Sequence, residues 1–144
     1  MSAADQITVL NSGNKYLTEI NSGNHKIISD EPVEFGGEDS GFSPYELLLS
    51  ALGACKAITM RMFAQRKNYP LERIEIGLTH EKIHAKDCAD CESKEGKIDK
   101  IDVKIKFTGS LSDDQKKILL DVSQKCPVHK TLTSEIKIYT DMLY

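Results

Sequence analysis

From position 43 to 67 the chain reads SPYELLLSALGACKAITMRMFAQRK, and positions 47–55 within it carry no charged side chain. The spacing predicts one helix over 43–67. Ser43 suits the N-cap, Pro44 the first helical position, and Glu46 falls three residues after the cap, where a capping-box partner belongs. Such a helix is roughly 35 Å long. Its middle is apolar on every face, which predicts burial, and it reads as too short and too punctuated to span a bilayer. Charges return with Lys56, Arg61, Arg66 and Lys67. The small residues Ala51, Gly53 and Ala54 would let a backbone or a small ligand approach Cys55.

Elsewhere the hydrophobic period shortens to two. Before the helix, apolar segments at 7–10, 15–20 and 25–29 are separated by two copies of Asn-Ser-Gly-Asn, which predicts a three-stranded meander. Residues 30–42, with Pro32, Gly36, Gly37 and Gly41, read as a loop able to line a pocket mouth. After the helix, Asn68-Tyr69-Pro70 is a stop signal. Alternation over 71–84 and again over 98–107 predicts two strands. They flank a charged, turn-rich segment, 86–97, that contains Cys88-Ala89-Asp90-Cys91. Ser112 and Gln115 form a second capping box, opening a helix to about residue 124 with Ile118, Leu119, Val122 and Cys126 at helical spacing. Pro127 should end it. Residues 134–139 read as a last strand. The pattern is α+β with mostly antiparallel pairing. A helix apolar on all sides needs cover on all sides, which predicts a homodimer pooling two sheets around the long helices.

The chain has 144 residues, enough for one domain, residues 1–144, with its own core. Its net charge of −3 gives no electrostatic reason for a DNA, RNA or anionic-membrane partner. The first ten residues lack the basic and apolar regions of a signal peptide, so the expected location is cytoplasmic. Four cysteines in such a chain favour redox chemistry, metal binding or plain burial over a disulfide scaffold.

Cys55 and Cys126 each read as helical and follow mostly apolar segments. They are either two small buried hydrophobes or a redox pair in which one thiolate attacks an oxidant and the other forms the disulfide. A reactive thiolate needs a nearby cation, and Lys125 or His129 in the segment Lys-Cys-Pro-Val-His-Lys-Thr-Leu could supply it. His80, His84, Cys88 and Cys91 hold the atoms of a tetrahedral zinc site. On a straight strand, however, the two histidines stand about 13 Å apart, so they cannot share one ion; the segment reads otherwise as a Cys-x-x-Cys redox pair or as a charged loop with incidental thiols. Glu46 is a capping residue that could also orient a basic group at the active site.

SPYELLLSALGACKAITMRM followed far downstream by KCPVHKTL resembles the OsmC/Ohr family of thiol peroxidases, over about residues 36–135. The resemblance implies an OsmC-like α+β fold, with mostly antiparallel sheets around a long buried central helix, and an obligate intertwined dimer. It implies a peroxidatic Cys55 and a resolving Cys126, with Glu46 in the catalytic set, acting on organic hydroperoxides with an external dithiol as reductant and no metal or other cofactor. Tyr45 stands where the hydroperoxide-resistance branch has its glutamate. The branch's N-terminal activating arginine is missing, leaving Lys15 or Lys26 as substitutes. Two other readings use the same residues: a redox-sensing or small-thiol-binding protein without fast turnover, and a member stabilised by metal in the segment 80–91.

Overall fold

The computed structural model describes residues 6–143. The opening of the N-terminal segment read for a signal sequence lies outside the described residues. The chain packs as two units, residues 1–48 and 49–144, with the division falling inside the long helix.

In the first unit, strands β1 (Thr8–Asn11), β2 (Thr18–Ser22) and β3 (His25–Ser29) form the expected antiparallel meander. Its second turn is the two-residue link between the paired Ser22 and His25, with Gly23 at φ 55°, a backbone state that costs glycine little. The following loop is tied by Asp30, whose carboxylate accepts backbone N–H bonds from Glu31 (2.8 Å), Glu38 (3.2 Å) and Ser40 (3.2 Å). Burial opposes ionisation there, but the backbone donors outweigh it and hold the carboxyl below its ordinary value. A Cβ at Gly37 would strike the Glu31 carbonyl, so this close turn requires glycine. Ser43 then caps α1 (Pro44–Arg66): its Oγ accepts the Glu46 N–H at 3.4 Å and donates to the Glu46 carboxylate at 3.0 Å.

In the second unit, β4 (Arg73–His84) and β5 (Lys97–Thr108) pair antiparallel along their full length, from Arg73↔Thr108 to His84↔Lys97. Met60 and Ala64 of α1 join Leu71, Leu119 and Val122 in the buried core, flanked by Ile74, Ile76, Ile105 and Phe107 from the ribbon. A Cβ on Gly53 would come within 2.8 Å of Leu78, so the small residue before Cys55 lets α1 lie close on β4. The end of α1 is a Schellman arrangement. Asn68 takes the left-handed state at φ 56°, Asn68 N–H reaches Gln65 O at 3.3 Å and Tyr69 N–H reaches Ala64 O at 2.9 Å. Helix α2 (Asp113–Ser123) opens on the full Ser112–Gln115 capping box.

Four expectations change. Residues 134–139 form no strand and lie exposed. A third helix, α3 (Pro127–Leu132), follows α2, and Cys126 is its N-cap, not a helical residue. Helix α1 is buried on one face only, through Leu52, Gly53, Lys56, Met60 and Ala64. The opposite face, with Ile58 and Met62 each 60% exposed, stands open. And α1, at 23 residues, is long and apolar enough to cross a membrane by length and composition, so it is not too short to span. Its buried face nevertheless belongs to the core just described, and Lys56 and Arg61 interrupt it.

Leu119 is fully buried at the centre of that core. Leu119→Ala should lower the unfolding free energy by about 2–5 kcal/mol, measured as a drop in the urea midpoint followed by far-ultraviolet circular dichroism.

Candidate active site

Three elements of the second unit meet at a pair of thiols. Cys55 lies half-buried on α1, and Cys126, fully buried, sits where α2 gives way to α3. The Cys126 thiol feels Cys55 beside it, through a hydrogen bond and through charge. Cys126 sits there because Pro127 ends one helix and starts the next. Proline in the first turn suits a helix start, where its missing N–H is no loss. Cys126 Sγ caps the new helix by accepting the His129 N–H at 3.2 Å.

Beside the sulfurs lies Lys56, only 2% exposed. Its Nζ donates to the Ser123 carbonyl at 2.9 Å and pairs with His129 Nδ1 at 2.9 Å. Ser123 closes α2, so Lys56 meets the negative end of that helix at a carbonyl left free by the helix ladder. Burial pulls the Lys56 amine below its ordinary value, while the sulfurs of Cys126 and Cys55 pull it back up. Burial, then the neighbouring Lys56 charge, push His129 below its ordinary value of 6.5. The imidazole is therefore neutral near pH 7. With Nδ1 accepting from Lys56, its proton sits on Nε2, a tautomer assigned from the bonding pattern. Burial and the bond to Cys55 push the Cys126 thiol up, against the pull of the His129 N–H and the Lys56 charge.

The cation at this site is thus Lys56, which sequence reasoning passed over. The signal was there: Leu52, Lys56, Met60 and Ala64 recur every four residues, and a lysine in a buried stripe must answer to something. None of the candidates named instead is the cation. Lys125 is exposed, and His129 acts as an acceptor, not as a charge. In the first unit, Lys15 pairs with Glu38 at 3.0 Å and Lys26 with Glu19 at 2.9 Å. Glu46, also in the first unit, engages the Ser43 cap. A cleft of about 590 Å³ in that unit, lined by Val9, Tyr16, Asp30 and Leu47 among others, holds no cysteine.

The zinc set is not assembled. His80 bonds Asp99 at 2.8 Å. Among the described residues, the one close group of potential metal ligands is Cys88, Asp90 and Cys91, without either histidine, and Cys88 and Cys91 are joined as a disulfide.

A family profile described as OsmC-like protein matches residues 37–141. No curated protein matches the chain in sequence. Among solved structures, an OsmC-like protein from Mycoplasma pneumoniae is 25% identical with a TM-score of 0.70, covering 92% of this chain and 89% of its own. A Psychrobacter arcticus protein named for osmotic stress induction and detoxification response is 23% identical with a TM-score of 0.71, covering 91% and 90%. The organic hydroperoxide resistance protein OsmC of Legionella pneumophila is 20% identical with a TM-score of 0.64, covering 92% of each chain.

The lowered His129 value fixes the sign of a pH effect. Between 6.5 and the folded value, the unfolded chain binds more protons than the folded one, so stability falls as pH drops through that window. Urea midpoints taken from about pH 7.5 down to about pH 5 should fall more steeply for wild type than for His129→Gln. Parallel curves would show that the imidazole is not held neutral by its site.

Proposed function

The chain belongs to the OsmC-like family, and we propose that it works as a single domain that reduces organic hydroperoxides through Cys55 and Cys126. The observation that carries this reading is the pair of thiols brought side by side next to the buried Lys56. The hydrogen bond raises the Cys126 value, the effect expected when the Cys126 S–H is the donor. That leaves Cys55 as the attacking sulfur in this reading. It is also the more open of the two, so a peroxide can reach it.

The steps balance as follows. The Cys55 thiolate attacks an oxygen of the hydroperoxide. The S–O bond forms as the O–O bond breaks, and the alkoxide leaves as an alcohol with a proton passed from Lys56 or a solvent water. Cys126 then attacks the Cys55 sulfenic acid, expelling water and forming the disulfide. An external dithiol reduces that bridge and is itself oxidised. The apolar surface near Cys55, with Ala51, Ala54 and Ile58 exposed on the same helix, suits an organic peroxide better than hydrogen peroxide. The Legionella relative is named for organic hydroperoxide resistance, which supports this substrate class. Glu46, at the first turn of α1, is assigned here as a capping residue that helps set the helix start, with any part in orienting charge left to the assembled protein.

The working unit in this reading is a cytoplasmic homodimer. The open face of α1, with Ile58 and Met62, and the exposed segment carrying Ile136, Ile138 and Tyr139 present apolar surface that a second copy would cover. The alternation that marks 134–139 as a strand needs a partner edge, and a second copy can provide one.

Two outcomes test the proposal. With cumene hydroperoxide and a dithiol, Cys55→Ser should lose turnover to background. Cys126→Ser should stop at a trappable sulfenic acid on Cys55, with turnover down by about tenfold or more. Turnover surviving in Cys55→Ser would end the reading. In sedimentation at micromolar concentration, wild type should run as a dimer and the Ile58→Lys, Met62→Lys double variant as a monomer.

A further inference from the structure

The ribbon β4–β5 ends at the pair His84↔Lys97, and the residues beyond it carry the Cys88–Cys91 bridge, with Cα atoms 5.5 Å apart. The loop does not need that bridge to stay closed. Ala85, fully buried, donates its N–H to Gly96 O at 2.9 Å, and Cys88 donates to Ala85 O at 3.1 Å. Lys94 Nζ reaches the Cys88 carbonyl at 3.4 Å. Twelve paired residues on each strand hold the ends together. A crosslink that closes only four residues of chain removes little freedom from the unfolded state, compared with one that closes a long loop. A stapling role therefore explains little.

A metal site fits no better. Cys88, Asp90 and Cys91 supply three ligand atoms, while a closed zinc site takes four. Of the two histidines that could complete it, His80 is engaged by Asp99, and His84 is outside the group.

What remains is accessibility and chemistry. Both cysteines are only half-buried, and Asp90 between them is exposed. An attacking thiolate can reach the bridge, which is the condition for exchange. We propose that Cys88 and Cys91 form a second, reversible dithiol–disulfide centre that exchanges electrons with an external dithiol or disulfide, independently of Cys55 and Cys126. In the reducing direction, a thiolate of the external dithiol attacks one sulfur of the bridge. The S–S bond breaks, a mixed disulfide forms, and the other cysteine leaves as a thiolate that takes a proton from water. The partner's second thiol then attacks the mixed disulfide at its own sulfur, releasing the remaining cysteine. Two electrons and two protons enter the loop, and the partner becomes a disulfide. The reverse sequence oxidises the loop.

The test equilibrates the folded, full-length protein in graded mixtures of reduced and oxidised dithiothreitol, quenches with acid, alkylates and digests with trypsin. Fragment 87–94 then contains Cys88 and Cys91 and neither of the other cysteines. It should pass from bridged to doubly alkylated over about a hundredfold change in the ratio of the two forms. The midpoint should agree within about twofold in Cys55→Ser, so loss of the peroxidase reading would leave this result standing. In Cys91→Ser, Cys88 should hold one stable mixed disulfide after treatment with 5,5′-dithiobis(2-nitrobenzoate), since its resolving partner is gone. Three results would overturn the proposal: a fragment that stays doubly alkylated in oxidised dithiothreitol alone, a bridge that yields only after denaturation, or stoichiometric zinc that must be chelated before the bridge can form.

Discussion

The site depends on a buried ammonium group whose hydrogen-bond acceptors are both neutral. Lys56 reaches a helix-terminal carbonyl and an uncharged imidazole, and neither cancels its charge. Moving an ammonium out of water costs several kcal/mol even after relaxation. The sulfurs of Cys126 and Cys55 pull the amine back toward its charged form. The arrangement also gives the two sulfurs different surroundings. Cys126 is more deeply buried, caps α3 and is pushed toward its protonated form. Cys55 sits on the more open side of α1.

Helix α1 imposes a second constraint. One face, through Leu52, Gly53, Lys56, Met60 and Ala64, is core, and Gly53 permits the close approach to Leu78 that seats it. The other face is apolar and open. In water such a stripe costs about 25 cal/mol for every Å² left exposed, so on the proposed reading the helix that carries Cys55 is also one that gains from a second copy. In the proposed function, assembly and chemistry fall on one element.

Much of this was legible in the chain. Alternation placed the meander and the long ribbon, Ser43 and Ser112 marked both long helices at their caps, and the apolar run around Cys55 marked the central one. Periodicity did not reveal α3, because six residues are too few to show it and Pro127 reads equally as an end and a beginning. It put a strand at 134–139 because alternation specifies two faces but not a partner, and in one chain that segment has no edge to join. It also read a helix free of charge through its middle as buried all round, where the single chain covers one side. At the site the cysteines stood out by residue type. Lys56 did not, because a lysine at the end of an apolar run looks like the return of a solvated face. Only packing shows that the side chain turns inward beneath α2.

The central claim is that Cys55 reacts beside the buried Lys56 and depends on it. It is tested most directly by the rate of Cys55 alkylation with iodoacetamide as a function of pH, read on the Cys55 peptide by mass spectrometry, in wild type and Lys56→Met. Methionine fills a similar apolar volume without the charge, and circular dichroism confirms the fold. The account predicts that alkylation near neutral pH is slower by about tenfold in Lys56→Met. Superimposable profiles in two folded proteins would contradict it.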